Sequence, residues 1–298
     1  MPMDTLETID IRNWEQTVDR DQQALAVAAL EHGRLVLLPK LAFPLEADER
    51  RFLSPRWPAE GAKNISYEPE TGQVRGARAT GADRDMLAAM MARYAAASRR
   101  LLDALLPGYA PHLADGRTSF RPLDVTAREN SWRRDDRLLH TDAYPSRPTR
   151  GARILRVFSN VNPDGEARVW RIGEPFDAVA RTFRPALRPP PALVSALLAA
   201  FGITRGRRAP YDHLMLKLHD SVKQDLRYQR QAPHTVLTFP AGCTWIVFTD
   251  QVLHAVMSGQ HAFEQTFYIP VSALRWPEMA PIRVLERLTG RTLVDGRG

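Results

Sequence analysis

One cysteine, Cys243, in a chain of 298 residues excludes an internal disulfide and any zinc module built on paired thiolates. It lies in the apolar run "AGCTWIVF", where a thiol is an inert packing group. Long apolar runs are missing as well: no window reaches the roughly 18 apolar residues that a membrane-spanning helix needs. The opening "MPMDTLETIDIRNW" has no basic stretch followed by an apolar one. No secretory leader is therefore expected, and the cytoplasm is the expected compartment. Internal repeats are absent, and no sharp linker divides the chain. Lysine is scarce beside arginine, and 41 basic residues against 34 acidic ones leave a net charge of +7. That sign favours anionic partners or serves only solubility. The basic residues are scattered and carry no recognition-helix, RNA-recognition or zinc-finger motif, so nucleic acid is not an expected partner.

What is present reads as a soluble globular chain with 44% hydrophobic and 25% charged residues, enough to bury a sizeable core. Residues 20–32, "RDQQALAVAALEH", predict a helix that stops at Gly33, and "RLVLLPKL" (34–41) predicts a strand. Residues 44–82, rich in Pro, Gly and charge, predict loop with short elements. The clearest helix is 84–106, where Leu87, Met90, Met91, Tyr94, Leu101, Leu102 and Leu105 recur at helical spacing before Pro107-Gly108. Beyond about residue 118 the chain turns to short segments rich in Val, Ile, Phe, Thr and Trp, separated by turn residues. Examples are "ARILRVFSNV", "ARVWRIG", "CTWIVFT", "VLHAVM" and "FEQTFYIP". This pattern predicts a mainly β sandwich or jelly roll with flanking helices. We expect one domain over 1–298, with a helical and mixed support region at 1–117 and a β core at 118–275. A helical insert near 190–233, including "PALVSALLAAFG", and an extension at 276–298 complete it.

Chemistry concentrates in "RLLHTDAYPSRP". His140 and Asp142 are two residues apart, and on a strand they project from one face. His254, in "TDQVLHAVMSG", stands on a late strand-like segment. Two imidazoles and a carboxylate leave open positions on a metal, the facial arrangement of non-haem Fe(II) oxygenases. The competing reading is a surface ion pair plus a satisfied core histidine. His213 and His219-Asp220 form a rival cluster whose spacing does not suit a tight chelate. Arg153 and Arg156 sit inside the apolar strand "GARILRVFSNV", where an unpaired charge is costly. Their spacing puts them on opposite faces, so only one can serve a metal cavity as a carboxylate clamp. Arg156, with Asn160 on the same face, is the favoured one.

Three stretches resemble the Kdo hydroxylase family. They are "HTDAYPSRPTRGARILRVFSNVNPDGEARVWRIGEPF", "HLMLKLHDSVK" and "DQVLHAVMSGQHAFEQTF". The resemblance implies a double-stranded β-helix (jelly roll) and an enzyme that uses Fe(II), 2-oxoglutarate and O2. It implies His140, Asp142 and His254 as iron ligands and catalytic residues. The implied reaction hydroxylates C3 of 3-deoxy-manno-octulosonate (Kdo) in a Kdo-lipid A type glycolipid, giving Ko, succinate and CO2. Many members of the wider superfamily carry an arginine about ten residues after the distal histidine, and Ser or Thr two later. Here the segment reads Phe263-Glu264-Gln265-Thr266, so Thr266 can supply the hydroxyl and the cation must come from Arg156 or Arg153. Arg147, Lys217 and Lys223, with Arg137 and Arg150, are candidates for the substrate's anions or are solvated surface charges. The net charge suits peripheral contact with the anionic cytoplasmic face of an inner membrane. Three other classes stay open: a cupin-like metal-dependent sugar isomerase, a non-catalytic sugar-binding jelly roll, and a nucleic-acid-modifying dioxygenase.

Overall fold

The β-rich half folds as the spacing of its apolar residues requires, in two sheets that face each other. The computed structural model describes residues 4–126, 131–145, 147–188 and 209–293. Strands β1 (Leu6–Thr8), β2 (Leu35–Leu38), β3 (Ile65–Glu68), β4 (Gln73–Arg75) and β5 (Ala114–Arg121) come before the central β6 (Arg153–Asn160). After it come β7 (Arg168–Ile172), β8 (Thr235–Phe239), β9 (Thr244–Phe248), β10 (His254–Ser258) and β11 (Ala262–Ile269). The larger sheet runs β1-β2-β9-β6-β11-β5-β3-β4, and the smaller runs β10-β7-β8. The fold is thus mixed, with one large sheet. Strand β6 is buried along its whole length because β9 and β11 flank it and both of its faces are covered.

The two faces of β6 bury different things. Leu155 and Val157 join a large core with helix α2 (Gly81–Leu105), whose Tyr94 stacks on Phe263 and donates its hydroxyl to Val157 O at 3.1 Å. Phe158, on the other face, joins Trp170, Phe239 and Trp245 between the sheets. Helix α1 (Arg20–Glu31) is tied down by the buried Glu31 carboxylate, which accepts from Tyr109 Oη and from the amides of Arg275 and Trp276 at 2.6–2.8 Å. Gly259, at φ +113, turns the chain from β10 into β11, and a Cβ there would lie 2.8 Å from Arg168 Cα. Helices α3 (Phe176–Thr182) and α6 (Pro281–Thr289) pack together at one end. Helices α4 (Pro210–Gln224) and α5 (Leu226–Gln231) cover the region around His140.

The described residues add detail to two expectations. The 1–117 region is more than a support. Its strands β1–β2 and β3–β4 extend the large sheet at both edges, and β5 begins at Ala114. The apolar run at 34–41 predicts β2, whereas β1, β3 and β4, of 3–4 residues each, carry too few alternations to register as strands in sequence. Residues 210–231 of the expected insert are helical, and "PALVSALLAAFG" lies outside the described residues. No described helix is long and apolar enough to cross a membrane.

Arg153 marks the helix-side face. Its guanidinium, fully buried, donates to Asp250 Oδ2 at 2.7 Å and Gln251 Oε1 at 2.7 Å, and lies over the Phe248 ring. Removing one partner of such a pair strands the other charge, at a cost of about 3–5 kcal/mol. Asp250→Ala is expected to lower unfolding stability by that amount, read from urea denaturation of the metal-free protein.

Candidate metal centre

His140 and His254 meet across a single antiparallel bridge. The His140 amide donates to His254 O at 3.0 Å, and the His254 amide donates to His140 O at 2.9 Å. Their rings therefore stand 4.6 Å apart. Past the bridge the chain leaves β10, and the Asp142 amide donates instead to Thr249 O at 2.8 Å. One ligand-type atom from each of His140, Asp142 and His254 lies within 4.8 Å of the others. His140 stands on no regular strand; the bridge sets its position opposite His254.

Ring orientation is fixed from the backbone. His140 Nδ1 lies 2.7 Å from Leu138 O, and His254 Nδ1 lies 2.8 Å from Val252 O. A carbonyl only accepts, so both Nδ1 atoms carry the proton and both Nε2 atoms keep a lone pair. Burial depresses both imidazoles below the usual histidine range and keeps them neutral; for His140 the neighbouring His254 and Lys223 act in the same direction. Burial would raise Asp142, yet Arg156, His254 and His140 hold its carboxyl well below the usual range. Its Oδ2 is buried and has no hydrogen-bond partner. Two neutral imidazole nitrogens and an ionised carboxylate form a donor set that suits a divalent first-row metal.

The ligand-bearing segment is held at almost every peptide. The buried amide of Gln229, on α5, grips Leu139 on both sides: Oε1 accepts from Leu139 N at 2.8 Å, and Nε2 donates to Leu139 O at 3.0 Å. Arg171, on β7, donates to Arg137 O at 3.2 Å and Gln229 O at 3.4 Å. The Val256 amide donates to Asp136 O at 2.8 Å. Trp170 stacks on the His254 ring at 5.2 Å, and His219 meets the His140 ring edge-on at 5.5 Å.

A buried row of alternating charges runs from this centre along the inner face of the large sheet. Arg156 Nη2 lies 3.1 Å from Asp142 Oδ2 and contacts the Tyr144 hydroxyl; its Nη1 lies 3.1 Å from Glu264 Oε1. Arg121 bonds Glu264 Oε2 through Nη2 at 2.5 Å and reaches Asp136 Oδ2 at 3.5 Å. Lys63 pairs with Asp136 in turn. Burial would raise both carboxyls, but Lys63 and Arg121 hold Asp136 far below its usual range, and Arg121 and Arg156 lower Glu264.

A profile of the 3-deoxy-D-manno-oct-2-ulosonic acid (Kdo) hydroxylase family matches residues 13–292. The chain belongs to the Kdo hydroxylase family. Among solved structures, the apo form of the Kdo hydroxylase KdoO, a non-haem Fe(II) α-ketoglutarate-dependent dioxygenase, is 46% identical with a TM-score of 0.96, over 99% of each chain. The same enzyme in complex with α-ketoglutarate and Fe(III) is 45% identical with a TM-score of 0.95, also over 99% of each chain. No curated protein sequence matches.

Within this Kdo hydroxylase chain, His140, Asp142, His254 and Arg156 come together. Thr266 stands directly opposite Arg156 in the β6–β11 register and so shares its face. Asn160 does not join them. Its amide donates to Glu166 O and Phe239 O at 2.9 and 3.0 Å and so fastens the turn that ends β6. Arg153 belongs to the opposite face and is committed to Asp250. Arg147 pairs with Glu68 at 3.3 Å. Lys217 is exposed, about 200° around α4 from His219. Lys223 is buried on the His140 side, and burial pulls its ammonium down to about 8. The rival pair His213 and His219 both lie on α4, and His219 reaches the His140 ring.

Arg121, Glu264, Asp136, Lys63 and Gln229 went unnoticed in the sequence. Glu264 alone left a signal, a carboxylate at the place where the wider superfamily carries arginine. The others are held by diagonal or loop contacts that spacing does not encode.

Two outcomes are expected. Gln229→Ala frees the Leu139 peptide and should weaken Co(II) binding by roughly 10-fold in calorimetric titration. Asp136 and Glu264 are held below their unfolded values of about 4. They therefore stabilise the fold above that range, and the contribution is lost as pH falls through and below it. The urea midpoint of the metal-free protein should drop between about pH 5 and pH 3, and Asp136→Asn should flatten that slope.

Proposed function

We propose that this chain is an Fe(II)- and 2-oxoglutarate-dependent dioxygenase that hydroxylates C3 of Kdo in the lipid A-linked inner core of lipopolysaccharide. Kdo, 2-oxoglutarate and O2 would yield Ko, succinate and CO2, one oxygen atom entering the sugar and the other succinate. The observation that carries the reading is the convergence of one ligand-type atom from each of His140, Asp142 and His254 within 4.8 Å, with a lone pair kept on Nε2 of both imidazoles. Family membership and the likeness to KdoO supply the substrate and cosubstrate classes.

The two sheets support a double-stranded β-helix. Strands β5, β11, β6 and β9 are successive neighbours in one sheet. The His140 bridge, β10, β7 and β8 are successive neighbours in the other. Along the chain the segments cross from one sheet to the other at every step except the β7–β8 pair, which stays within the smaller sheet, as in a jelly roll. The centre then lies where the His140 segment and β10 pair, at one end of the aromatic filling around Trp170 and Phe158.

Iron bound at His140, Asp142 and His254 would supply the activation of dioxygen. The chain's own part is to hold the ligands, orient the reacting C–H bond and exclude water. Arg156 is the cation for the far carboxylate of 2-oxoglutarate: it is buried, its Nε has no hydrogen-bond partner, and Thr266 stands beside it. Glu264 and the Tyr144 hydroxyl fix its fork. The net charge of +7 would favour a peripheral position at the cytoplasmic face of the inner membrane, where the glycolipid lies.

Anaerobic titration with Fe(II) and then 2-oxoglutarate should give a weak visible charge-transfer band in the wild type. His140→Ala and Asp142→Ala should lose both the band and oxygen incorporation into Kdo. Arg156→Met should raise the KM for 2-oxoglutarate roughly 10–100-fold, as expected for loss of a charge-assisted hydrogen bond. Normal metal binding with no band in the wild type would defeat the 2-oxoglutarate assignment.

A further inference from the structure

We infer that Lys223 is the subsite for the carboxylate of the 2-ulosonic acid substrate, a role that rests on the Kdo hydroxylase reading above. Lys223 is 2% exposed and lies one helical turn beyond His219, whose ring meets that of His140. Its Nζ donates to Arg133 O at 3.0 Å. An ammonium has three donors, and among the described residues the other two have no partner. A desolvated ammonium with open donors is costly to bury and gains most from an anion that takes them.

Charge balance and its open donors together single it out. Lys63, Arg121 and Arg156 are matched by Asp136, Glu264 and Asp142 through direct contacts. At the rim, Arg133 is matched by Asp220 and Arg137 by Asp135. Lys223 has no carboxylate within ion-pair distance among the described residues; Asp136, Asp142 and Asp135 act on it only through space. A divalent metal and a doubly charged 2-oxoglutarate would cancel each other, so Lys223 stays uncompensated beside the metal; Arg171, which also lacks a carboxylate among the described residues, is committed to the Arg137 and Gln229 carbonyls. A sugar acid brings one negative charge.

The position separates the two carboxylate sources. Lys223 approaches from α4 on the His140 side, whereas Arg156 approaches from β6 on the Asp142 side. A flexible stem with a rotatable point charge suits a bulky sugar acid, while the fixed fork of Arg156 suits the short, linear cosubstrate.

The test is equilibrium binding to the anaerobic Co(II) protein with 2-oxoglutarate, using Kdo-lipid A in detergent micelles and the same glycolipid with its Kdo carboxylate converted to the carboxamide. Wild type should bind the acid about 10–100-fold more tightly than the amide. Lys223→Met should bind both as weakly as wild type binds the amide, with the Kd for 2-oxoglutarate unchanged. Lys223→Arg should restore part of the preference for the acid. Equal binding of acid and amide by wild type overturns the inference, and needs no variant to fold. Equal weakening of both ligands in Lys223→Met also overturns it and reduces Lys223 to an anchor for the Arg133 carbonyl. Weakened 2-oxoglutarate binding alone would reassign it to the cosubstrate. Binding of neither glycolipid by wild type would sink the Kdo reading itself, and the inference with it.

Discussion

The two main-chain hydrogen bonds exchanged by His140 and His254 govern the rest of the site. Backbone donors and acceptors in a buried region must be paired, so this bridge is as firmly specified as any step of a sheet ladder. It sets the ring separation, and the carbonyls two residues before each histidine then select the tautomer. The placement of the two imidazoles is thus written largely in the backbone. The His140 segment has no strand of its own to stiffen it, and Gln229 and Arg171 replace the missing ladder with side-chain clamps. Helix α5 is thereby coupled to the ligand it holds through the Leu139 peptide.

Charge inside the large sheet follows a similar economy of placement. Two arginines and a lysine would be prohibitive there as separate charges, but as alternating members of one row each is stabilised by opposite neighbours. Glu264 is the pivot, since it binds Arg121 from β5 and Arg156 from β6. An acidic residue at that place does not abolish the positive field expected for a carboxylate cosubstrate. It gathers two cations from adjacent strands. One end of the row meets Asp142, so the same guanidinium joins the carboxylate of the H-x-D pair to Glu264.

Much of the architecture was legible from local pattern. The α2 stripe, the strands from β6 to β11 and the H-x-D…H triad all follow from the period and chemistry of short segments. The opposite faces of Arg153 and Arg156 follow from the alternation of side chains along a strand. Asn160 was misread because parity gives the face of a side chain and not its partner: at the strand end its amide is taken up by the turn. Lys217 was chosen for its charge near family-like residues, yet the helical period turns it to solvent.

By itself the sequence determined which residues are chemically able to act, the candidate metal-binding trio and the buried arginines, because residue type and period are local properties. The tertiary structure decided which of them share a cavity. It placed His254 against His140 more than a hundred residues earlier, separated Arg153 from Arg156 by function, and left Lys223 as the one buried cation near the centre without a carboxylate of its own among the described residues. Pairing and desolvation depend on neighbours brought together from distant parts of the chain, and only the folded arrangement specifies them.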